Sequence, residues 1–234
     1  MVSQQIKIAI IFIIIFFSIS ASSILVLLSN ATAVSCAFWR TTIAGLILSS
    51  IYLLRNNSAD FILDRRTLLY SIISGIFLAS HFLLWMESLF IVPVSVSTTI
   101  VVTYPLFSAL IDCLIRKERI ELIQVIGFIM GFLGIMLFMH PWLSAEYDIL
   151  GVLFSLGGAL SATGYFSIGR SVRRRASLLT YTTLAYTSSS VILLLYAIII
   201  GENLVRSFPQ ALPYFLLLAL LPMIGGHTLI NYIL

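Results

Sequence analysis

Charged residues are scarce in this chain, since Asp, Glu, Lys and Arg together make up 9% of its 234 residues. It also has only three histidines and two cysteines. The sequence contains no His-Glu-x-x-His motif, no paired-cysteine motif and no Walker loop. With so few nitrogen, sulfur and carboxylate ligands, a metal site is not expected. We therefore predict no catalytic residue, no metal and no cofactor, and we expect that the protein is not an enzyme.

Hydrophobic residues, in contrast, account for 60% of the chain, a fraction too high for a soluble core. A helix that crosses a bilayer needs about 20 mostly apolar residues. The sequence therefore predicts an all-α polytopic membrane protein with short connections. Its eight predicted transmembrane segments, numbered 1 to 8 in chain order, cover residues 8–28, 34–54, 67–89, 93–114, 122–139, 149–169, 179–200 and 212–234.

Segment 1 has a second interpretation as a secretory signal peptide. Lys7 precedes an apolar run, and Ser18-Ile19-Ser20-Ala21 resembles a cleavage site. The apolar run resumes at Ile24, which favours a transmembrane segment.

The basic residues lie almost entirely on one side of the predicted membrane. Eleven of the 13 flank the same ends of the segments, whereas the opposite loops carry Arg206 and several acids. This is the positive-inside pattern of cytoplasmic loops, so we predict a multi-pass cell-membrane protein with a cytoplasmic N-terminus and no nucleic-acid partner. The eleven are Lys7, Arg55, Arg65, Arg66, Arg116, Lys117, Arg119, Arg170, Arg173, Arg174 and Arg175.

Two parts of the sequence repeat each other at a fixed offset of 146 residues. His81, in Ala-Ser-His-Phe-Leu-Leu, corresponds to His227, in Gly-Gly-His-Thr-Leu-Ile. The same offset places Thr41-Thr42 on Thr187-Ser188 without a gap. An odd number of segments separates the copies, so the copies are predicted to have opposite orientations. Inverted repeats are typical of transporters that bind substrate where the two copies meet.

The offset also predicts where each repeat lies. Residues 1–145 form a first repeat of five helices, and residues 146–234 form a second repeat with three. Eight of an expected ten transmembrane helices are then present. Because rocking of one repeat against the other requires both, we expect that residues 1–234 alone do not move substrate.

Several residues resemble the EamA-like permeases of the drug/metabolite transporter superfamily. The string Pro105, Arg116-Lys117-Glu118-Arg119-Ile120, Gly127, Gly131 and Gly134 is similar to the first repeat of that family. Trp39-Arg40, His81 with Trp85, and Gly226-His227 with Asn231 also resemble it. The resemblance implies ten helices in two inverted five-helix repeats, cytoplasmic termini, and passage of small metabolites through a central cavity.

Polar side chains within the apolar segments mark candidate sites, because an ionisable group in lipid is costly. Arg40 either binds a substrate carboxylate or snorkels outward to the headgroups. His81 and His227 act either as gates or proton acceptors of a shared cavity, or as hydrogen-bond partners of neighbouring helices. Asp112 and Arg116, one turn apart, are expected to pair.

Other candidates flank the break that Pro105 predicts in segment 4, or supply aromatic walls from segments 6 and 7. The complete predicted substrate-binding set is Arg40, His81, Trp85, Thr98, Thr99, Tyr104, Tyr165, Tyr186, His227 and Asn231.

The spacing Gly127-xxx-Gly131 permits close helix approach, either within the protomer or at a homodimer seam. The predicted function is a permease or exporter that moves a small metabolite, such as an amino acid or another amphipathic solute, by alternating access. Its expected partners are that solute, the lipid bilayer and coupled protons. The alternative is a structural or sensory membrane protein that does not transport.

Overall fold

The computed structural model describes residues 2–55, 64–117, 121–139 and 147–234, and within these ranges the chain is helical without strands. The helices are α1 Val2–Ser20, α2 Ser22–Leu28, α3 Ala33–Leu54, α4 Arg65–Ser88, α5 Val94–Val101, α6 Tyr104–Leu114, α7 Leu122–Met139, α8 Ile149–Val172, α9 Leu178–Ile200, α10 Phe208–Leu218, a π-helical segment Ala219–Thr228, and α11 Leu229–Ile233.

Within the described residues, seven stretches are long and apolar enough to cross a membrane, so the chain is a polytopic membrane protein. Three are built from more than one helix: α1 with α2, α5 with α6, and α10 with the π segment and α11. The predicted segment 5 corresponds to α7, whose described apolar stretch, Leu122–Gly134, is shorter than a full span. The predicted total of eight therefore stays a prediction. The repeat boundary at residues 145 and 146 lies outside the described residues.

Helix ends follow the local sequence. Thr32, Asp64, Asp148 and Ser177 each precede a helix and accept a hydrogen bond from a backbone N–H of its first turn. Gly201 ends α9 with a φ of 71°, a left-handed conformation that favours glycine. These caps satisfy backbone groups that would otherwise face the membrane surface unpaired.

Segment 4 breaks at Val102–Thr103, as Pro105 predicts. Proline lacks a backbone N–H, and Pro105 lies in the first turn of α6, where that donor is not needed. The Tyr104 carbonyl accepts a hydrogen bond of 3.2 Å from Thr163 Oγ1 of α8. A neighbouring helix thus supplies a polar partner at the break.

The last transmembrane stretch contains an unpredicted wide turn. Its π segment includes Pro222, and Thr228 Oγ1 donates back to the Met223 carbonyl five residues earlier, at 3.2 Å. α1 packs closely against it, because a Cβ added to Gly225 would lie 2.7 Å from Ser18 Oγ. π segments occur frequently at functional sites.

The centre of the bundle is built by α3, α4, α8 and α9. α4 packs along both α8 and α9, and α3 packs along α9. Glycine allows the closest approach: a Cβ on Gly75 would lie 2.5 Å from the Ser188 Cβ and 2.9 Å from the Ala185 carbonyl oxygen. These contacts fix the faces of α4 that reach the interior.

The described residues do not pack closely against the glycines of α7. A Cβ added to Gly127, Gly131 or Gly134 would meet no atom of the described residues within 4 Å. The neighbouring apolar side chains, such as Met130 and Phe132, are exposed as well. α7 therefore lies at the periphery of the described bundle, and its glycines provide no internal helix contact.

At the C-terminal end of segment 4, the predicted pair of Asp112 and Arg116 is confirmed, with a nitrogen–oxygen distance of 2.9 Å. Arg170 of α8 also contacts Asp112 at 2.8 Å and ties α8 to α6. Residues 118–120 of the string Arg116–Ile120 lie outside the described residues.

Candidate functional site

A central cavity of about 60 Å³ lies between α1, α2, α4, α5, α6, α8 and the last transmembrane stretch. Polar and aromatic side chains meet apolar ones around it. Five of the ten predicted substrate-binding residues line this cavity: His81, Trp85, Thr98, Tyr104 and His227.

The two histidines of the repeat face each other there. The ring centroids of His81 and His227 are 5.7 Å apart, and the His81 ring stacks on Trp85 at 6.1 Å with an interplanar angle of 7°. His81 Nδ1 lies 2.9 Å from the Gly158 carbonyl oxygen. Because a carbonyl oxygen only accepts hydrogen bonds, Nδ1 must carry the proton, and Nε2 of the neutral ring is then a proton acceptor.

Three buried polar atoms on cavity-lining residues have no hydrogen-bond partner in the described part of the chain. They are Trp85 Nε1, Thr98 Oγ1 and His227 Nδ1. An unpaired buried polar group costs about 1–3 kcal/mol, so three around one cavity indicate a place for a polar ligand or for water.

Arg40 lies next to this cavity rather than on it. The side chain is fully buried, and its Nη1 donates to Ser22 Oγ, a cavity-lining residue, at 3.2 Å. Its guanidinium carbon lies 4.0 Å from the Phe82 ring centroid. Its Nε and Nη2 have no partner, and within the described residues no carboxylate lies within 4.0 Å of it.

Full burial excludes one of the two interpretations of Arg40. A snorkelling arginine keeps its charged end at the membrane surface, whereas the Arg40 side chain is 0% exposed. The guanidinium instead retains donors without acceptors in the interior, where an ionised group is costly.

The four remaining predicted residues do not line the cavity. Asn231 Nδ2 donates to Tyr165 Oη at 2.7 Å, and Tyr186 Oη lies 2.8 Å from Thr228 Oγ1. These groups form a buried hydrogen-bonded layer behind the cavity that joins α8 and α9 to the last stretch. They are not the aromatic walls that the sequence suggested. Thr99 follows Thr98 by about 100° around α5 and therefore leaves the lining.

Sequence reasoning missed the contribution of segment 1. Ile19, Ser22 and Ser23 line the cavity from α1 and α2, on either side of the helix junction at Ala21. A serine pair within an apolar segment was the available signal. Phe166 of α8, which stacks on the His227 ring at 5.7 Å, carried no such signal.

The sequence profile of the EamA-like transporter family matches residues 6–140, more than half of the chain. The chain belongs to the EamA-like transporter family. The family is one of transporters, and its match agrees with the membrane-spanning helices of the chain.

A curated relative supports the same family. The protein described as uncharacterized transporter YdfC of Bacillus subtilis (strain 168) is 23% identical over 142 residues, 61% of this chain. The matched region spans 46% of that relative, so the chain covers about half of its length. No solved structure was found to match the chain.

Proposed function

We propose that this EamA-like transporter moves a small amphipathic metabolite with a carboxylate, such as an amino acid, through the central cavity by alternating access. The observation that carries the proposal is the set of buried N–H donors without acceptors: Arg40 Nε and Nη2, and Trp85 Nε1. Arginine and tryptophan side chains donate hydrogen bonds and do not accept them, whereas an ionised carboxylate only accepts. The donor set and the proposed substrate are chemically complementary.

The apolar part of the cavity suits the rest of such a solute. Val101, Phe166 and Ile230 contribute aliphatic and aromatic surface beside the polar groups. Binding sites for small molecules commonly combine apolar walls with a few placed polar groups. A solute with one charged end and one apolar side chain would occupy both parts.

Interrupted helices beside the cavity support a mechanism in which helices move. Val102, at the break between α5 and α6, and Pro222, in the π segment, both line the cavity. The breaks at Val102–Thr103 and in the π segment provide the interrupted helices that alternating access uses.

The proposed inverted repeats fit the positions of the helices. α3 covers Ala33–Leu54 and α9 covers Leu178–Ile200, so their bounds differ by 145 and 146 residues. His81 and His227, which correspond under this offset, meet at the cavity. The division at residue 145, the cytoplasmic N-terminus and the location in the cell membrane stay parts of the proposal.

The proposed function also includes proton coupling and dimerisation. Nε2 of neutral His81 is an available proton acceptor beside the proposed carboxylate site. The exposed Gly127 and Gly131 of α7 are the proposed homodimer seam, since their spacing permits close helix approach.

Binding tests the substrate without requiring a complete transport cycle. Purified protein is screened by thermal shift against the twenty standard amino acids, and the dissociation constant of the best one is measured for wild type and Arg40→Ala. We expect stabilisation by at least one amino acid and its loss in Arg40→Ala. A screen without any stabilising amino acid, or equal affinity in the variant, would contradict the proposed substrate class and favour a protein that does not transport such solutes.

Orientation is tested separately by labelling introduced cysteines in a Cys113→Ser background, since Cys113 is exposed and Cys36 is buried. An impermeant thiol reagent added to whole cells should label Asn203→Cys, and should label Arg174→Cys only after the membrane is opened. The opposite pattern would reverse the topology.

A further inference from the structure

A second cavity lies at the end of the bundle where the basic residues gather. It has a volume of about 410 Å³ and is separate from the central cavity. Three arginines from three parts of the chain converge on it: Arg66 in the first turn of α4, Arg116 after α6 and Arg175 after α8. No function described above uses this cavity.

The arginines differ in how firmly they are held. Arg116 pairs with Asp112, and its Nη2 donates to the Ser167 carbonyl oxygen at 2.6 Å. The side chains of Arg66 and Arg175 are exposed, and within the described residues their guanidinium groups make no hydrogen bond. The rim therefore carries two cations that are available to an anion, beside a third that is fixed in place.

Among the described residues, the nearby acidic groups do not cancel this charge. Asp112 is shared between Arg116 and Arg170. Asp64, the N-cap of α4, interacts electrostatically with Arg175, and its pKa is lowered chiefly by the hydrogen bond from the Thr67 backbone N–H, with a smaller contribution from Arg175. Counting these four arginines and two aspartates leaves the surroundings of the cavity positive.

The remaining lining is amphipathic. Ile111, Ile115 and Ile168 form an apolar wall between α6 and α8, and Ser171 Oγ lies among the polar groups. A free inorganic anion has no use for the apolar wall, whereas a phospholipid brings a phosphate and acyl chains together. Basic pockets between transmembrane helices on the cytoplasmic side are known to bind anionic lipid headgroups.

We propose that this cavity binds the phosphate of an anionic phospholipid, with Arg66 and Arg175 contacting the headgroup and the isoleucine wall contacting the start of an acyl chain. Bound lipid would link α4, α6 and α8, the helices that also line the central cavity. The site is independent of the substrate proposed above.

Fluorescent phosphatidylglycerol tests the site on the purified protein in an uncharged detergent, with anisotropy as the readout. An exposed ion pair between an arginine and the lipid phosphate contributes up to about fivefold to binding, so loss of both contacts in Arg66→Gln with Arg175→Gln should weaken binding by up to about 30-fold. The matched control is Arg55→Gln with Arg174→Gln, which removes the same charge from the same end of the bundle without touching this cavity. The control should bind within about threefold of wild type.

A second variant separates the cavity from the general surface charge. Ile111→Trp fills the apolar wall and leaves every arginine in place, and it should also weaken binding about tenfold or more. Equal losses in the cavity and control pairs, or unchanged affinity in Ile111→Trp, would overturn the proposal. Competition by inorganic phosphate at the concentration of the lipid would assign the site to free phosphate, and equal binding of phosphatidylcholine would remove the role of charge; either result would overturn it.

Discussion

Replacing Arg40 by methionine should separate substrate binding from folding. Methionine has a similar length and can still pack on Phe82, but it carries neither a charge nor a donor. Because Arg40 has no carboxylate partner in the described structure, its removal leaves no opposite charge unpaired. In a structural ion pair, removal of one partner would cost about 3–5 kcal/mol.

The expected change in stability is the balance of three contributions. Removing a charged group that is buried in the protein interior recovers its desolvation penalty, roughly 3 kcal/mol. Loss of the cation–π contact with Phe82, at 4.0 Å, costs about 2 kcal/mol, and loss of the 3.2 Å hydrogen bond to Ser22 costs about 1.5 kcal/mol. The sum is close to zero, so the free energy of unfolding should change by less than about 1 kcal/mol.

The expected change in affinity is much larger. Truncating one partner of a buried charge pair costs at least about 2 kcal/mol of binding free energy. We expect a loss of about 3 kcal/mol, which raises the dissociation constant roughly 100-fold. Titration with the amino acid selected by the thermal-shift screen measures this, and thermal unfolding of the same samples without ligand measures stability.

Arg173→Met is the matched control for Arg40→Met. Arg173 is half-buried, and its guanidinium donates to the Asn231 and Ala176 carbonyl oxygens at 3.3 and 2.9 Å. Its loss should cost about 1–2 kcal/mol of stability and leave affinity unchanged. If Arg40→Met instead lowered stability by 3 kcal/mol or more, or kept the wild-type affinity, Arg40 would be a structural residue and the carboxylate assignment would be refuted.

Three further predictions concern packing and protonation. Gly75→Ala should destabilise the protein by about 1–3 kcal/mol, since its Cβ would overlap α9, whereas Gly127→Ala has space and should not; equal thermal stability of the two would contradict the contact. Tyr165→Phe removes the acceptor of a buried amide at 2.7 Å and should cost about 1–2 kcal/mol in thermal unfolding; an unchanged midpoint would show that water replaces it. His81→Asn retains an N–H donor toward the Gly158 carbonyl but has no basic nitrogen in place of Nε2, so ligand affinity should depend less on pH than in wild type; an unchanged pH profile in the variant would reduce His81 to a packing role.

Much of the fold follows from the sequence because the bilayer imposes simple rules. The length of each apolar run predicts a membrane-spanning helix. Capping residues such as Asp64 and Gly201 then mark where a helix begins or ends. The Pro105 break and the Asp112–Arg116 pair were predictable for the same reason: each depends on residues within one turn of the helix. The repeat singled out His81 and His227, whose proximity depends on how distant segments pack.

The unpredicted features arise from contacts between segments. The π segment requires an extra residue per turn that no local pattern specified, although Pro222 and Gly225-Gly226 mark the place. The burial of Arg40 could not be predicted from its depth in segment 2. A side chain at that position can either extend outward to the headgroups or pack in the interior. Likewise, glycine spacing in α7 shows that close packing is permitted without showing that a partner is present.

The proposed repeat also accounts for the polarity of the site. The offset of 146 residues that relates His81 to His227 also relates Arg40 to Tyr186. The two copies therefore carry the same side chain at the histidine positions and different side chains at the other pair. Near a two-fold axis, corresponding residues come close to each other, which gives the histidine pair. At the Arg40 and Tyr186 positions, one copy supplies a cation and the other a phenol that is committed to Thr228. A carboxylate would therefore be held on the Arg40 side of the cavity, so two structurally related halves would bind the substrate in one orientation.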